Sequence, residues 1–445
     1  MILDNTRSSS GLTLLACLIV SALVTGAPGQ TDVGHWSHFA NNSDVRALHL
    51  VDGQLWVGTN GGLLVVDLDT GEIVDRHVAG PLLAGNSVRT IRERQGHIYV
   101  GCDEGLSRFS RDSSGGYTSH DIAGVSDVRR VDFGGDGRTY VATYGHGVAR
   151  LDGRRTRWIT RADSLLDDKV FAVAPIGEAD VFFATSLGLC AYLDSAWVSF
   201  QAGAGLPRGE VRDLIEVGQI DDSGENEPTF YVLIAGRGVY RFVGKRGRRV
   251  LARRVFEENE VAAIALDSDG ALWACGRYGG IARYDRGSWT RIGEDDDDVA
   301  RARWRSAHAA PDGTVYFGSA DGLVAGVRGD VIRKILIPSL LPTGHVGMMA
   351  ENKQGRLYLS SGPYLISTNR DTAGFKEEGV FGSVFAIEVS PADVVYVVGR
   401  WGVFRNEDGH WVDVPVAVDP KPPVFVSLAF DSAAGDLWAG TRNGE

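Results

Sequence analysis

Short apolar runs alternate with glycine-rich turns along almost the whole chain. The first unit, Val45 to Asp67, contains an apolar strand, an Asp-Gly turn, an aromatic-led strand, an Asn-Gly-Gly turn and another apolar strand. The same order returns in Val261 to Asp285. Asp-Gly provides the positive φ that two-residue hairpin loops require, and apolar runs bounded by such turns are typical of β-strands. The pattern therefore predicts successive β-hairpins.

An aromatic residue in the second strand marks a regular repeat, with a mean spacing of about 42 residues. In most repeats this residue is Trp or Tyr, as in the series Trp56, Tyr99, Tyr140, Phe182, Tyr231, Trp273, Tyr316, Tyr358, Tyr396 and Trp438. A fourth strand, often opened by Trp, completes each unit. Four strands in such a period are typical of a β-propeller, because radial stacking buries both faces of each sheet. We predict an all-β propeller of nine complete repeats and a partial tenth, with the first strand innermost and almost no helix; the alternative is an open array of sheets.

The N-terminal sequence predicts an exported protein, and the net charge argues against a nucleic-acid partner. Glycine makes up 58 of 445 residues, and the net charge of −12 argues against binding to nucleic acid or to an anionic membrane surface. Residues 1–29 are predicted to be a signal peptide, because the apolar run Gly11 to Val24 is short for a membrane span and precedes small residues. A lipoprotein signal ending at Cys17 is the alternative. We expect no membrane span after the signal peptide, and a periplasmic or extracellular protein.

Three cysteines remain after the predicted cleavage: Cys102, Cys190 and Cys275. An odd number at wide spacing does not form a disulfide framework. We expect buried free thiols within strands, so that packing and sheet hydrogen bonds hold the fold.

The segments LWVGTNGGLLVVD (Leu55 to Asp67), LWACGRYGGIARYD (Leu272 to Asp285) and LWAGTRNG (Leu437 to Gly444) resemble the two-component regulator propeller repeat. In that family the repeats form periplasmic sensor regions. Two seven-bladed propellers often precede a membrane span and a histidine kinase or another output domain, and the ligands include oligosaccharides. This chain ends at Glu445, within the tenth repeat, so we expect it to be a C-terminally truncated fragment of a longer protein.

The resemblance also implies how the repeats divide. Ten repeats exceed the usual four to eight blades of one ring. We expect residues 36–338 to form a first propeller of about seven blades and residues 339–445 to begin a second, incomplete one. A single ring of ten blades is the alternative.

The predicted turns between second and third strands contain the candidate ligand-binding residues. They carry arginine, histidine or aromatic side chains where a plain turn would suffice: Tyr144, His146, Arg237, Arg277, Tyr278, Arg400 and Trp401. Aromatic rings stack on sugar rings, and arginine binds carboxylates and hydroxyls. In a propeller these turns surround the central opening on one face. The alternative is that they cap neighbouring sheets.

The sequence contains none of the catalytic signatures that we searched for, such as a phosphate-binding loop or a metalloprotease motif. We therefore expect a binding protein with no cofactor or metal rather than an enzyme. The acidic segment beginning at Asp67 could suggest a calcium loop, but a turn between strands explains it better. We predict an extracytoplasmic ligand-sensing module that binds a small polar ligand such as a glycan, with a kinase or other output domain as partner. The alternative is a secreted or surface-attached structural or adhesion propeller.

Overall fold

A computed structural model describes most of the chain after residue 41. The described residues are 42–113, 116–153, 155–177, 179–200, 206–220, 226–243, 249–253, 260–276, 280–285, 287–336, 346–369, 376–415, 424–431 and 436–441. The predicted signal peptide, residues 1–29, lies outside them.

Seven four-stranded antiparallel sheets follow one another over residues 45–336. Sheet 1 contains β1 (Val45–Val51), β2 (Gln54–Thr59), β3 (Gly62–Asp67) and β4 (Ile73–His77); sheet 2 contains β5 (Val88–Arg94), β6 (His97–Cys102), β7 (Leu106–Arg111) and β8 (Tyr117–Asp121); sheet 3 contains β9 (Val128–Phe133), β10 (Thr139–Thr143), β11 (Val148–Asp152) and β12 (Arg155–Ile159); sheet 4 contains β13 (Val170–Ile176), β14 (Asp180–Thr185), β15 (Gly188–Leu193) and β16 (Ala196–Phe200). Sheet 5 contains β17 (Val211–Ile220), β18 (Asn226–Ile234), β19 (Gly238–Val243) and β20 (Arg249–Arg253); sheet 6 contains β21 (Val261–Leu266), β22 (Leu272–Gly276), β23 (Gly280–Asp285) and β24 (Ser288–Ile292); sheet 7 contains β25 (Trp304–Ala309), β26 (Val315–Ser319), β27 (Leu323–Arg328) and β28 (Val331–Leu336).

Two further four-stranded sheets and one strand pair follow in the described part of the chain. Sheet 8 contains β29 (Met349–Glu351), β30 (Arg356–Ser361), β31 (Tyr364–Asn369) and β32 (Lys376–Val380); sheet 9 contains β33 (Val384–Val389), β34 (Val395–Gly399), β35 (Gly402–Glu407) and β36 (His410–Asp413); sheet 10 contains β37 (Phe425–Asp431) and β38 (Asp436–Thr441). Each strand pairs with its neighbours in sequence, as a meander does. The predicted all-β fold and strand order are thus confirmed.

Helix is confined, among the described residues, to one turn of α-helix and one 3-10 turn. The α-helix α1 covers Asp297–Arg301, and the 3-10 turn covers Arg161–Asp163. Asp296 caps α1 by accepting hydrogen bonds from the amides of Asp298 and Val299. Part of the acidic segment before sheet 7 is therefore helical, because an aspartate N-cap and first-turn acids favour a helix start.

The first strand of each sheet is innermost and packs against the first strand of the next sheet. This holds from β1 through β5, β9, β13, β17 and β21 to β25, and β25 packs back against β1. Hydrogen bonds also join sheets 7 and 1: the Ser306 hydroxyl donates to the Val45 carbonyl at 3.1 Å, and the Leu50 amide donates to His308 Nε2 at 3.2 Å. These contacts agree with a seven-sheet propeller. The division into 36–338 and 339–445 stays a prediction, because residues 337–345 lie outside the described part.

Second-strand aromatics pack between neighbouring sheets of the seven-sheet unit, whereas Trp438 of sheet 10 is 65% exposed. Trp56 of sheet 1 is fully buried and meets the Phe109 ring of sheet 2 edge-on at 5.5 Å. Close backbone approach between sheets requires glycine at one second-strand position: a Cβ on Gly58 would lie 2.4 Å from Val88, and one on Gly318 would lie 2.3 Å from Val45. The hydrophobic core thus consists of the layers between adjacent sheets.

The three cysteines are free and buried, as predicted. Burial raises the pKa of each thiol to about 12. Of the helices in the described residues, none is long and apolar enough to cross a membrane.

Candidate ligand site at the channel mouth

A β-bulge at the second residue of each inner strand shapes the centre of the seven-sheet unit. In sheet 1, Val45 pairs with Thr59 and Ala47 pairs with Gly58, so that Arg46 has no partner opposite it. The same register shift occurs in the inner strands of sheets 2 to 7. A bulge of this kind turns one side chain away from the regular alternation of a strand.

The bulge residues converge on one opening. In order from sheet 1 to sheet 7 they are Arg46, Arg89, Arg129, Phe171, Arg212, Ala262 and Arg305. Together with Asp44 they line the mouth of a channel between the inner strands, which we call the arginine mouth. The channel behind it has a volume of about 500 Å³ and is lined by all seven inner strands.

Three carboxylates partly neutralise the five guanidinium groups of the arginine mouth. Asp44 accepts from Arg46 at 2.8 Å and lies 3.5 Å from Nε of Arg305. The Asp103 carboxylate forms a two-pronged bond with Arg89, at 2.8 and 2.7 Å, and lies 3.6 Å from Arg129. A third pair joins Arg212 and Glu210 at 2.7 Å. Five positive charges against three negative ones leave this mouth positive, although the whole chain carries −12.

A second group of charges lies deeper in the channel. Arg130 bonds to Asp213 and, at 3.2 Å, to Asp132. Burial and the neighbouring Arg130 lower the pKa of Arg92 to about 10, which leaves it charged at neutral pH. Burial, with the nearby Asp132 charge, raises the pKa of the Glu216 carboxyl. The inner channel is therefore polar, and Arg130 on its wall forms ion pairs with Asp132 and Asp213.

Two histidines lie between sheets 1 and 7 on the channel wall. The rings of His49 and His308 are 4.6 Å apart. Burial lowers the pKa of His308 to about 2 and that of His49 to about 4, and the Arg92 charge acts in the same direction on both. His308 Nε2 accepts the Leu50 amide hydrogen, which independently requires a neutral ring.

Of the predicted site residues, Tyr144 lies next to the arginine mouth. Its ring is 37% exposed and faces the Arg129 guanidinium at 4.8 Å and the Lys169 ammonium at 5.2 Å. The ring of Phe171, a mouth residue, is 5.7 Å away. Tyr144 is not itself one of the mouth-lining residues, but its partly exposed ring lies beside two of them, Arg129 and Phe171.

His146 and Arg237 lie in other turns of the seven-sheet unit. The His146 ring is 3.6 Å from the Asp127 carboxylate and, with Trp158, lines a separate recess. Arg237 is exposed, and its backbone carbonyl accepts a hydrogen bond from the Tyr240 hydroxyl. Neither residue is among those that line the arginine mouth.

Four predicted residues remain. Arg277 and Tyr278 lie outside the described residues. Arg400 and Trp401 form the exposed turn between β34 and β35 of sheet 9, and they are not among the residues that line the channel. The Trp401 side chain is 65% exposed. Ligand binding at any of the seven predicted residues stays a prediction.

The described residues hold no group of three or more metal-ligating side chains. At the candidate calcium loop, Asp67 Oδ1 accepts hydrogen bonds from the Asp69 and Thr70 amides and from the Thr70 hydroxyl. Those bonds make an ordinary Asx turn between β3 and β4.

Comparisons with known proteins agree on the fold. No protein-family model matches the sequence, and no curated protein matches it. Among solved structures the chain is similar to PorZ, a surface component of the type-IX secretion system of Porphyromonas gingivalis, with 16% identity and a TM-score of 0.65 over 92% of this chain and 57% of that one. It is also similar to the extracellular domain of BT4673 from B. thetaiotaomicron, a proposed one-component signalling system, with 16% identity and a TM-score of 0.51 over 91% of this chain and 57% of that one.

These similarities show the β-propeller fold. An extracellular domain of a proposed one-component system is thus among the structural neighbours, and its fold agrees with the propeller that the repeats predict. The chain spans a little over half the length of both neighbours.

Proposed function

We propose that the chain is an extracellular ligand-sensing propeller that binds a small polar ligand at the arginine mouth. The observation that carries the proposal is the convergence of the bulge residues on one open, polar channel. Concave sites with a few convergent polar groups are the usual places for small ligands. The partly exposed ring of Tyr144 beside the mouth supplies a stacking surface of the kind that sugars use. No catalytic step is part of this proposal.

Titration calorimetry with a panel of soluble oligosaccharides tests the binding site. For a ligand of the mouth, Tyr144→Ala should weaken binding about tenfold, by analogy with the stacking of a base on an aromatic ring, which is worth roughly 1–3 kcal/mol. Trp401→Ala is the matched control, because it removes an exposed aromatic side chain from a turn of the same kind in sheet 9. If Trp401→Ala weakens binding and Tyr144→Ala does not, the ligand site is on sheet 9 and the proposal is wrong.

A sensing role predicts a cellular phenotype as well. Transcription induced by the ligand should be lost in a strain carrying Tyr144→Ala, while the amount of protein at the cell surface stays normal.

The similarity to PorZ favours a second candidate function, a surface component that serves secretion or attachment. In that case removal of the whole protein should impair export or adhesion, and the Tyr144→Ala strain should behave like the wild type in both assays.

A further inference from the structure

The residue types at the bulge positions show whether the fold itself requires arginine there. Sheets 9 and 10 have the same register shift in β33 and β37, and there the bulge residues are Phe385 and Val426. In sheet 6 the position holds Ala262. The bulge therefore forms with side chains of very different size and polarity, and arginine is not needed to make it. Five arginines in the seven sheets that share the channel require another explanation.

The arginines are not spread evenly around the mouth. Sheets 7, 1, 2 and 3 are neighbours, and their bulge residues make a continuous arc of four arginines. The arc ends at sheet 4, where Phe171 and the adjacent Tyr144 ring present an aromatic surface. Beyond it, Arg212 and Ala262 complete the circle. One side of the mouth is thus cationic and the other is partly aromatic.

From this arrangement we infer that the ligand is an acidic oligosaccharide, whose carboxylate or sulfate groups bind the arginine arc while a sugar ring lies against Tyr144. This inference rests on the proposed function and names the ligand class of the same site. Guanidinium groups match carboxylate and sulfate oxygens with paired hydrogen bonds. Several of them on one concave rim favour a ligand with two or more anionic groups over a neutral sugar.

The charge balance at the mouth agrees with a multivalent anion. Asp44 is shared by Arg46 and Arg305, and Asp103 is shared by Arg89 and Arg129. Each shared carboxylate orients two guanidinium groups and neutralises one charge. The two pairs together therefore leave two positive charges directed at the opening, which a doubly charged ligand would balance.

The experiment compares trigalacturonate, its neutral methyl ester and a sulfated chondroitin disaccharide by titration calorimetry with the full chain. Trigalacturonate or the sulfated sugar should bind, the methyl ester should bind at least tenfold more weakly, and affinity should fall as salt rises. Arg305→Ala and Arg46→Ala, both in the arginine arc, should each weaken binding about tenfold. Arg305→Lys keeps the charge without the planar fork, and it should recover only part of the loss.

Two further variants keep the inference falsifiable. Ala262→Arg adds an arginine at a bulge that holds one in five other sheets, and it should tighten binding of the acidic sugar. Arg301→Ala, on α1, removes an equal charge from a side chain that is 80% exposed and not among the channel-lining residues, and it should leave binding unchanged. Thermal unfolding of each variant checks that the fold is intact.

The outcomes separate the two proposals. Equal binding of the methyl ester and the acid, with loss in Tyr144→Ala, would overturn the acidic ligand and leave the mouth as the ligand site. If inorganic pyrophosphate binds in an arginine-dependent way and no sugar binds, the ligand is a free anion and the inference of an acidic sugar is wrong. The arginine arc would be overturned if Arg305→Ala and Arg46→Ala bind the acidic sugar as tightly as Arg301→Ala does.

Discussion

The contact between sheets 7 and 1 should become weaker in acid because it buries two neutral histidines, and substitution of His308 isolates the contribution of one of them. His308 is buried against His49 and Arg92, and its Nε2 accepts the Leu50 amide hydrogen. The folded-state pKa, lowered from 6.5 to about 2, means that the folded protein keeps this ring neutral where the unfolded chain takes up a proton. Stability from this group is therefore complete above pH 6.5 and is lost as the pH falls below that value.

The magnitude follows from the difference in proton binding. The excess of protons that the unfolded chain binds at this position rises from about a quarter at pH 7 to nearly one at pH 5, and its integral corresponds to a loss of about 2 kcal/mol. His308→Gln keeps an acceptor for the Leu50 amide and does not titrate. The wild type should therefore lose about 2 kcal/mol more than this variant between pH 7 and pH 5.

Urea unfolding followed by tryptophan fluorescence at pH 7, 6 and 5 measures this difference. Carboxylates that titrate in both proteins cancel when the two curves are subtracted. His120→Gln, at an exposed position of β8, is the control for loss of a histidine. Parallel pH profiles for wild type and His308→Gln, with equal denaturant slopes, would refute the reasoning.

Two more predictions concern packing. Gly318→Ala should destabilise the protein by about 1–3 kcal/mol, because the new Cβ would lie 2.3 Å from Val45 of sheet 1. Addition of Val45→Ala to that variant should recover part of the lost free energy of unfolding, as measured in urea. The thiols of Cys102, Cys190 and Cys275 should not react with a thiol reagent in the folded protein and should all react in denaturant, because burial keeps the pKa of each at about 12; fast reaction of any one under native conditions would contradict that burial.

The fold could be predicted because the strand aromatics and the turn glycines recur with the same period along the chain. The aromatic at Trp56 and its equivalents sets the period, and the turn glycines set the hairpins that connect the strands. Packing of the Trp56 ring against Phe109 of the next sheet is the physical reason that the period is kept. A sheet with such a ring on its face is stable only when another sheet covers it.

The arginine mouth could not be predicted from the turn residues alone, because its lining side chains belong to strands. Tyr144 lies beside the arginine mouth, whereas Arg400 and Trp401 belong to a sheet beyond the seven that share the channel. The signal that was missed is the dipeptide Val-Arg at the start of the first strand, as in Val45-Arg46 and Val88-Arg89. Within one strand such an arginine looks like an ordinary solvent-facing residue of an alternating pattern.

Only the bulge gives those arginines a common direction. A regular strand would place Arg46 on a face of the sheet, among the side chains that pack between sheets 1 and 2 or between sheets 1 and 7. Burial of five guanidinium groups in those apolar layers would be strongly unfavourable without partners. The extra residue in each inner strand removes that conflict and directs the side chain to the channel, where carboxylates and solvent surround it. The same irregularity recurs in sheets 1 to 7, 9 and 10 with different side chains at the bulge, so it supplies positions at which the side chain can change without changing the packing between sheets.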